Sequence, residues 1–288
     1  MDPMKNQMKK LKDRIKFVLS SKHPVKILLA YVLRKTKLSY HFTIDKCHYK
    51  MRFYPSALLM HYWVDKNARE EETTYLEHLV KIGSVVIDVG ANVGTLSLPL
   101  AVRVGKYGKV YSIEASPITF QYLKGNIELN KHIKNIYPLN YAIGEKKGFV
   151  DFSNISSDDM NRVVQEGKQT QRVPMTTLDF IIKENNINKI RLLKIDIEGY
   201  ELFALQGAQN TLEITDIVFF ESWEKHYQNY GYSTKDVIKL LNTKGFEVYK
   251  FDLDYNLIKI DENYSSKVCE NLIAFKNPKD IDAIYEKN

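Results

Sequence analysis

The segment Val85-Val86-Ile87-Asp88-Val89, followed by Gly90-Ala91-Asn92-Val93-Gly94-Thr95, does most to limit what this chain can become. Five almost wholly apolar residues suit a strand buried on both faces and are too few for a helix. The glycines then demand a tight turn, and Leu96–Val104 continues at helical length. Strand candidates at Val110–Ile113, Asn135–Leu139, Ile190–Ile195 and Ile217–Phe220 alternate with helical stretches at Thr119–Leu129, Leu178–Glu184 and Glu201–Leu212. That alternation implies right-handed crossovers and a mostly parallel α/β sheet with helices on both faces. Phe246–Leu253 and Val268–Phe275 are strand-like with no helix between them, which predicts an antiparallel pair at the end of the sheet. Upstream, Tyr40 to Tyr54 reads as a hairpin. Residues 70–82 read as a helix, with Glu70, Glu71 and Glu72 at its positive end and Gly83 as its cap. The chain thus divides into an extension, residues 1–69, and an α/β domain, residues 70–288.

Ligands of such sheets bind beyond the carboxyl ends of the strands, where the glycine turn lies. Gly90 and Gly94 free the backbone to approach a ligand, and Asn92 is among the few other residues that tolerate positive φ. A dinucleotide fingerprint needs glycine at its first, third and sixth positions. Counted from Gly90 these hold Gly90, Asn92 and Thr95, so a pyrophosphate is disfavoured. Asp88 would repel a phosphate but attract a ligand ammonium, such as the one in S-adenosylmethionine. Glu114, at the end of the next strand, can accept both hydroxyls of a ribose.

Composition sets the remaining bounds. With 44% apolar and 27% charged residues the chain is ordinary for a globular protein, which excludes a disordered, collagen-like or rod-like chain. The two cysteines, Cys47 and Cys269, provide neither a disulfide framework nor a zinc module, so a reducing, cytoplasmic compartment is expected. The net charge of +7 is concentrated: residues 1–37 carry +9 and the rest −2. The apolar run Ile27 to Leu33 falls far short of the ~20 residues that span a bilayer, and the basic residues after it do not suit a signal peptide. Residues 1–37, with Leu11, Ile15, Val18 and Leu19 at helical spacing, read in one of two ways. They form a basic amphipathic helix resting peripherally on an anionic membrane or partner, or a helix packed on the main domain with its lysines in water.

Taken together, Asp88-Val-Gly-Ala-Asn-Val-Gly94, Glu114-Ala-Ser-Pro117, Asn140-Tyr-Ala-Ile-Gly144, Thr177-Leu-Asp179, Leu193-Lys-Ile-Asp-Ile-Glu-Gly-Tyr-Glu-Leu202 and Gly207-Ala208 resemble the FkbM family of class I S-adenosylmethionine-dependent methyltransferases, over roughly residues 70–275. The resemblance implies a Rossmann-like, seven-stranded sheet with its last strand antiparallel. It also implies methyl transfer to a hydroxyl, commonly of a sugar, glycan or glycolipid. Carried over residue by residue, it has Asp88, Gly90, Asn92 and Gly94 lining the methionine and ribose, Glu114 holding the ribose, and the backbone around Ala142 bordering the adenine. Glu70 matches an acidic residue before the first motif, in a register that Glu71 and Glu72 contest. The Ser156–Asn161 loop receives no role.

Displacement at a sulfonium needs a nucleophile held about 3 Å from the methyl carbon, and an alcohol also benefits from a base or metal. Asp196 and Glu198 follow the fourth strand and would point the same way if it continued. As a pair they can act as base, as ligands for Mg2+ or as support for the sulfonium, with Glu198 alternatively capping the next helix. Glu221 and His226 follow the fifth strand with Trp223, where His226 can serve as base and Trp223 can stack on a sugar. Two further readings compete. Nucleic-acid methylation is suggested by the basic end and disfavoured by the lack of the Asn/Asp-Pro-Pro-aromatic motif with which amino-methylating enzymes grip a flipped base, a lack that does not bear on methylation of an RNA ribose. A methyltransferase-like adaptor at the membrane is the non-catalytic reading.

Overall fold

The computed structural model describes residues 21–36, 38–153, 162–163 and 170–281. The helix expected around Leu11, Ile15, Val18 and Leu19 and the loop at 156–161 lie outside those residues. The fold divides into two compact units at the junction of Arg69 and Glu70.

The first unit contains α1 (Pro24–Lys35), a 3-10 turn, the antiparallel hairpin of β1 (Thr43–Asp45) and β2 (Lys50–Arg52), and α2 (Ala57–Val64). Pro24 opens α1, where its missing N–H is harmless, and Ile27, Ala30 and Leu33 form the buried face. The Ser56 hydroxyl caps α2 by accepting the Leu59 N–H at 3.2 Å. The hairpin falls within the expected span of residues 40–54.

The second unit opens with α3 (Glu70–Leu79), β3 (Val85–Val89), α4 (Ser97–Val104), β4 (Lys109–Ile113), α5 (Pro117–Leu129) and β5 (Ile136–Leu139). Next come β6 (Ala142–Ile143), β7 (Gly148–Ser153), β8 (Thr170–Thr176), α6 (Leu178–Glu184) and β9 (Ile190–Ile195). The chain continues through α7 (Glu201–Gln206), α8 (Gln209–Glu213), β10 (Thr215–Ser222), α9 (Glu224–Gln228) and α10 (Thr234–Thr243) to β11 (Glu247–Phe251), β12 (Leu257–Lys259) and β13 (Glu270–Phe275). The main sheet has the order β12-β11-β13-β10-β9-β3-β4-β5. Strands β5, β4, β3, β9 and β10 are parallel, while β13 runs antiparallel between β10 and β11. This is the Rossmann-like sheet with an antiparallel last strand that the sequence predicts. It carries eight strands rather than seven because the chain turns back after β11: Asp252 Oδ1 accepts the N–H groups of Asp254 and Asn256, and β12 pairs with β11.

Ile87, Val89, Ile113, Leu193, Ile195, Val218 and Phe220 are buried in one core, each such side chain contributing about 1.5–3 kcal/mol. Several expectations need adjustment. Helix α3 ends at Leu79, short of residue 82, and Gly83 donates its N–H to Val104 O, shaping the turn into β3 instead of capping α3. The single helix expected over Glu201–Leu212 is two, α7 and α8, broken at Gly207, where a Cβ would stand 2.1 Å from Gly144 O. A small sheet of order β6-β8-β7 and the helices α9 and α10 were not foreseen.

Candidate active site

From β3 the chain crosses to β4 on one side, while β9 and β10 extend the sheet on the other, so the cleft between β3 and β9 is the topological switch point. Asp88 ends there fully buried. Its Oδ2 accepts the Ser97 hydroxyl at 2.6 Å, and its Oδ1 lies 3.3 Å from Lys194 Nζ. Lys194, buried on β9, also donates to Gly90 O at 2.9 Å and lies 3.6 Å from Asp196 Oδ2. One ammonium thus ties the ends of β3 and β9 together. The expectation that Asp88 attracts a ligand ammonium is revised, because a carboxylate so deeply buried needs a cation of its own and has Lys194. The glycines also have a purely structural requirement. Gly90 has φ +76, and a Cβ there would stand 1.9 Å from Asp196 O; Gly94 has φ +91, and a Cβ would meet Leu123 Cδ1 at 2.9 Å. Gly90 needs glycine because backbone approaches backbone, and Gly94 because of its positive φ.

The ligand-facing chemistry falls on the neighbouring residues. Asn92 has φ +50, as expected, and donates its N–H to Glu114 Oε2 at 2.9 Å, while Glu114 Oε1 accepts the Ser116 N–H at 2.8 Å. Asn92 Oδ1 is buried and has no hydrogen-bond donor among the described residues. This orphaned acceptor, beside a carboxylate whose oxygens have further lone pairs, fits a ligand bearing an ammonium and a ribose diol. Asn140 Nδ2 donates to Glu114 O and Ala115 O, and Ala142 is buried in a cluster that Ala115 packs against, so the Ala142 segment is drawn to the end of β4. Of the three glutamates of α3, Glu70 and Glu71 are exposed. Glu72 is the one that reaches the sheet, accepting from Asn271 Nδ2 at 3.1 Å opposite Glu221 in the β10–β13 register.

A second group collects beyond β9 and β10. Asp196 and Glu198 do not form the expected pair, because the strand ends at Ile195 and Glu198 takes φ +58. Asp196 stays with Lys194. Glu198 turns to His226, its Oε2 3.3 Å from Nδ1, and does not cap the next helix, which starts at Glu201. Glu221 Oε2 lies 4.0 Å from the same nitrogen, and its Oε1 accepts the Cys269 thiol at 3.1 Å. Burial first, then Arg162 and Lys225, push the His226 pKa down, so the ring is neutral at physiological pH. Trp223 covers it with ring centroids 4.3 Å apart. Gly199 makes room, since a Cβ there would stand 2.9 Å from His226 Cβ.

Glu201, to which no site role was given, supports the loop from within. Fully buried, its Oε1 accepts the N–H groups of Ile197 at 2.9 Å and Gly199 at 3.3 Å. Burial, then the charge of Glu221, push its carboxyl up to about 8, so it holds a proton at neutral pH. Its contribution to stability is complete below the ordinary value of 4.5 and is lost as pH rises through about 8.

Residues 88–248 match the model of the methyltransferase FkbM domain, more than half of the chain. The chain belongs to the FkbM methyltransferase family. It is accordingly an S-adenosylmethionine-dependent methyltransferase. Among relatives, the hexuronic acid methyltransferase AglP of Haloferax volcanii is 28% identical over 178 residues, which cover 60% of this chain and 69% of AglP. The methyltransferase sdnD of Sordaria araneosa is 24% identical over 196 residues, covering 57% of this chain and 73% of sdnD. The solved FkbM methyltransferase from Methylobacillus flagellatus KT aligns at 16% identity with a TM-score of 0.47, covering 75% of this chain and 52% of that one. This chain therefore spans about half the length of that solved relative.

Glu198, Glu221 and His226 place donor atoms within 4.8 Å of one another, the one set among the described residues able to approach a metal ion in this way. Two carboxylates and an imidazole do not match the all-oxygen shell of magnesium, and Asp196 is held by Lys194, so the donor chemistry does not fit Mg2+, one of the roles open to Asp196 and Glu198 in the sequence. Among the described residues no helix is long and apolar enough to cross a membrane.

Proposed function

We propose that this chain methylates a hydroxyl of a sugar, glycan or glycolipid, with His226 as the base. The observation that carries the reading is a largely buried imidazole at the carboxyl end of β10, its Nδ1 3.3 Å from a carboxylate and its ring beside a tryptophan. In this reading Asn92, Glu114 and Asp196 hold the cofactor, with the Ala142 segment beside its adenine, and Asp88, Gly90 and Gly94 act through the shape of the turn. When bound, S-adenosylmethionine supplies an electrophilic methyl group on a sulfonium. The protein's part is to position and deprotonate the acceptor. Glu198 Oε2 lies 3.3 Å from Nδ1 without hydrogen-bond alignment, and its charge favours the ring proton on that nitrogen, leaving Nε2 to take the proton of the hydroxyl as its oxygen gains the methyl. Trp223 offers a face on which a sugar can stack. AglP, by name a hexuronic acid methyltransferase, points to a uronic acid as the first acceptor to try.

The test is transfer of labelled methyl from S-adenosylmethionine to hexuronic acid glycans, neutral glycans and RNA. The expected product is an alkali-stable methyl ether on a sugar. Label confined to RNA, or to a carboxyl as an alkali-labile ester, would overturn the reading.

A further inference from the structure

Helix α1 has apolar residues on two faces. Ile27, Ala30 and Leu33 are buried within the first unit, whereas Val25 (76% exposed), Leu28 (56%), Leu29 (46%) and Val32 (54%) form a second stripe at i, i+3, i+4 and i+7 that faces outward. Tyr31, Leu38 and Phe42 add exposed apolar or aromatic area close by in sequence. A contiguous stripe of this kind marks an interaction surface, unlike scattered single residues. Its surroundings say what kind. From Arg14 to Ile44 the sequence contains seven Lys/Arg and no acidic residue, and Lys22, Lys26 and Lys35 are exposed on or beside α1.

We propose that this stripe of α1 docks peripherally on an anionic lipid surface, with Val25, Leu28, Leu29 and Val32 entering the acyl boundary and Lys22, Lys26 and Lys35 pairing with headgroups. The pattern of an apolar face flanked by lysines is that of a helix lying in the plane of the interface. A second copy of the chain fits less well, because a two-fold contact through α1 would set its lysines against their own copies. A nucleic acid would use the lysines and leave the aliphatic stripe in water. The proposal is independent of the acceptor and of the methyl-transfer site.

The test is co-sedimentation of the full chain with vesicles of phosphatidylcholine alone or with about 30 mol% phosphatidylserine. Binding to the anionic vesicles is expected to be at least about tenfold tighter and to fall sharply near 1 M salt. Leu28→Asp combined with Val32→Asp should reduce it about tenfold or more with an unchanged circular dichroism spectrum. The triple variant Lys22→Ala, Lys26→Ala, Lys35→Ala should remove the preference for anionic lipid while leaving the apolar stripe intact. Equal binding to both vesicles or to neither would overturn the proposal. So would unchanged binding by both variants, a dimer in sedimentation velocity that Leu28→Asp disperses, or tighter binding of an oligouridine probe than of the anionic vesicles.

Discussion

Gly90→Ala is expected to lose about 4 kcal/mol or more of stability, a fall in Tm on the order of 10 °C. The new methyl would stand 1.9 Å from the carbonyl oxygen of Asp196, at a backbone φ of +76 that disfavours side chains in any case. Neither partner can yield, since Asp196 N is bound to Val89 O and Gly90 O accepts from Lys194, so the clash would pry β3 from β9. Gly83→Ala separates strain from collision: φ is +85 there, but a Cβ meets nothing within 4 Å, so only about 1 kcal/mol is expected. Thermal melts of the two variants followed by circular dichroism make the comparison. Equal shifts would show that φ alone decides the effect and that the β3–β9 contact is not tight.

His226→Ala should lower kcat by about 10² to 10⁴ while leaving the affinity for S-adenosylmethionine within a few-fold, because the imidazole is assigned to the acceptor's proton alone. As a base the ring must be neutral. Since burial lowers its pKa, the acid limb of kcat/KM should lie below the ordinary value of 6.5 and disappear in the variant. Glu198 acts through this ring as a positioning residue: Glu198→Ala should cost about tenfold in kcat, and Glu198→Gln, which keeps an oxygen on the Nδ1 side of the ring, should recover part of it. Wild-type kcat and an intact acid limb in His226→Ala would assign the proton elsewhere, with Glu221 next in line.

The succession of strands was legible because buried strands are short apolar runs and glycines punctuate them, and the antiparallel pairing of β11 with β13 followed from the missing helix. The eighth strand, β12, was hidden because Leu257–Lys259 is a half-exposed edge piece with little apolar pattern to read. At the site, residue types were readable and partners were not. Lys194 carries a readable signal: a lysine between the apolar residues Leu192, Leu193 and Ile195 is rarely buried without a carboxylate to meet it. Period-two alternation sets Glu198 beside Asp196, but the strand ends at Ile195 and the positive φ of Glu198 redirects the chain. The choice among Glu70, Glu71 and Glu72 depended on the register of α3 against Asn271, which lies 199 residues from Glu72 in sequence and leaves no local trace.

Calorimetric titration of the full chain with S-adenosylmethionine and with NAD, before and after Glu114→Ala, bears most directly on the site. The arrangement of Asn92 and Glu114 predicts saturable binding of S-adenosylmethionine, at least about tenfold weaker in the variant, and no heat from NAD. Binding of NAD by the wild-type chain, or the same affinity for S-adenosylmethionine in chains with and without the Glu114 carboxylate, would contradict it.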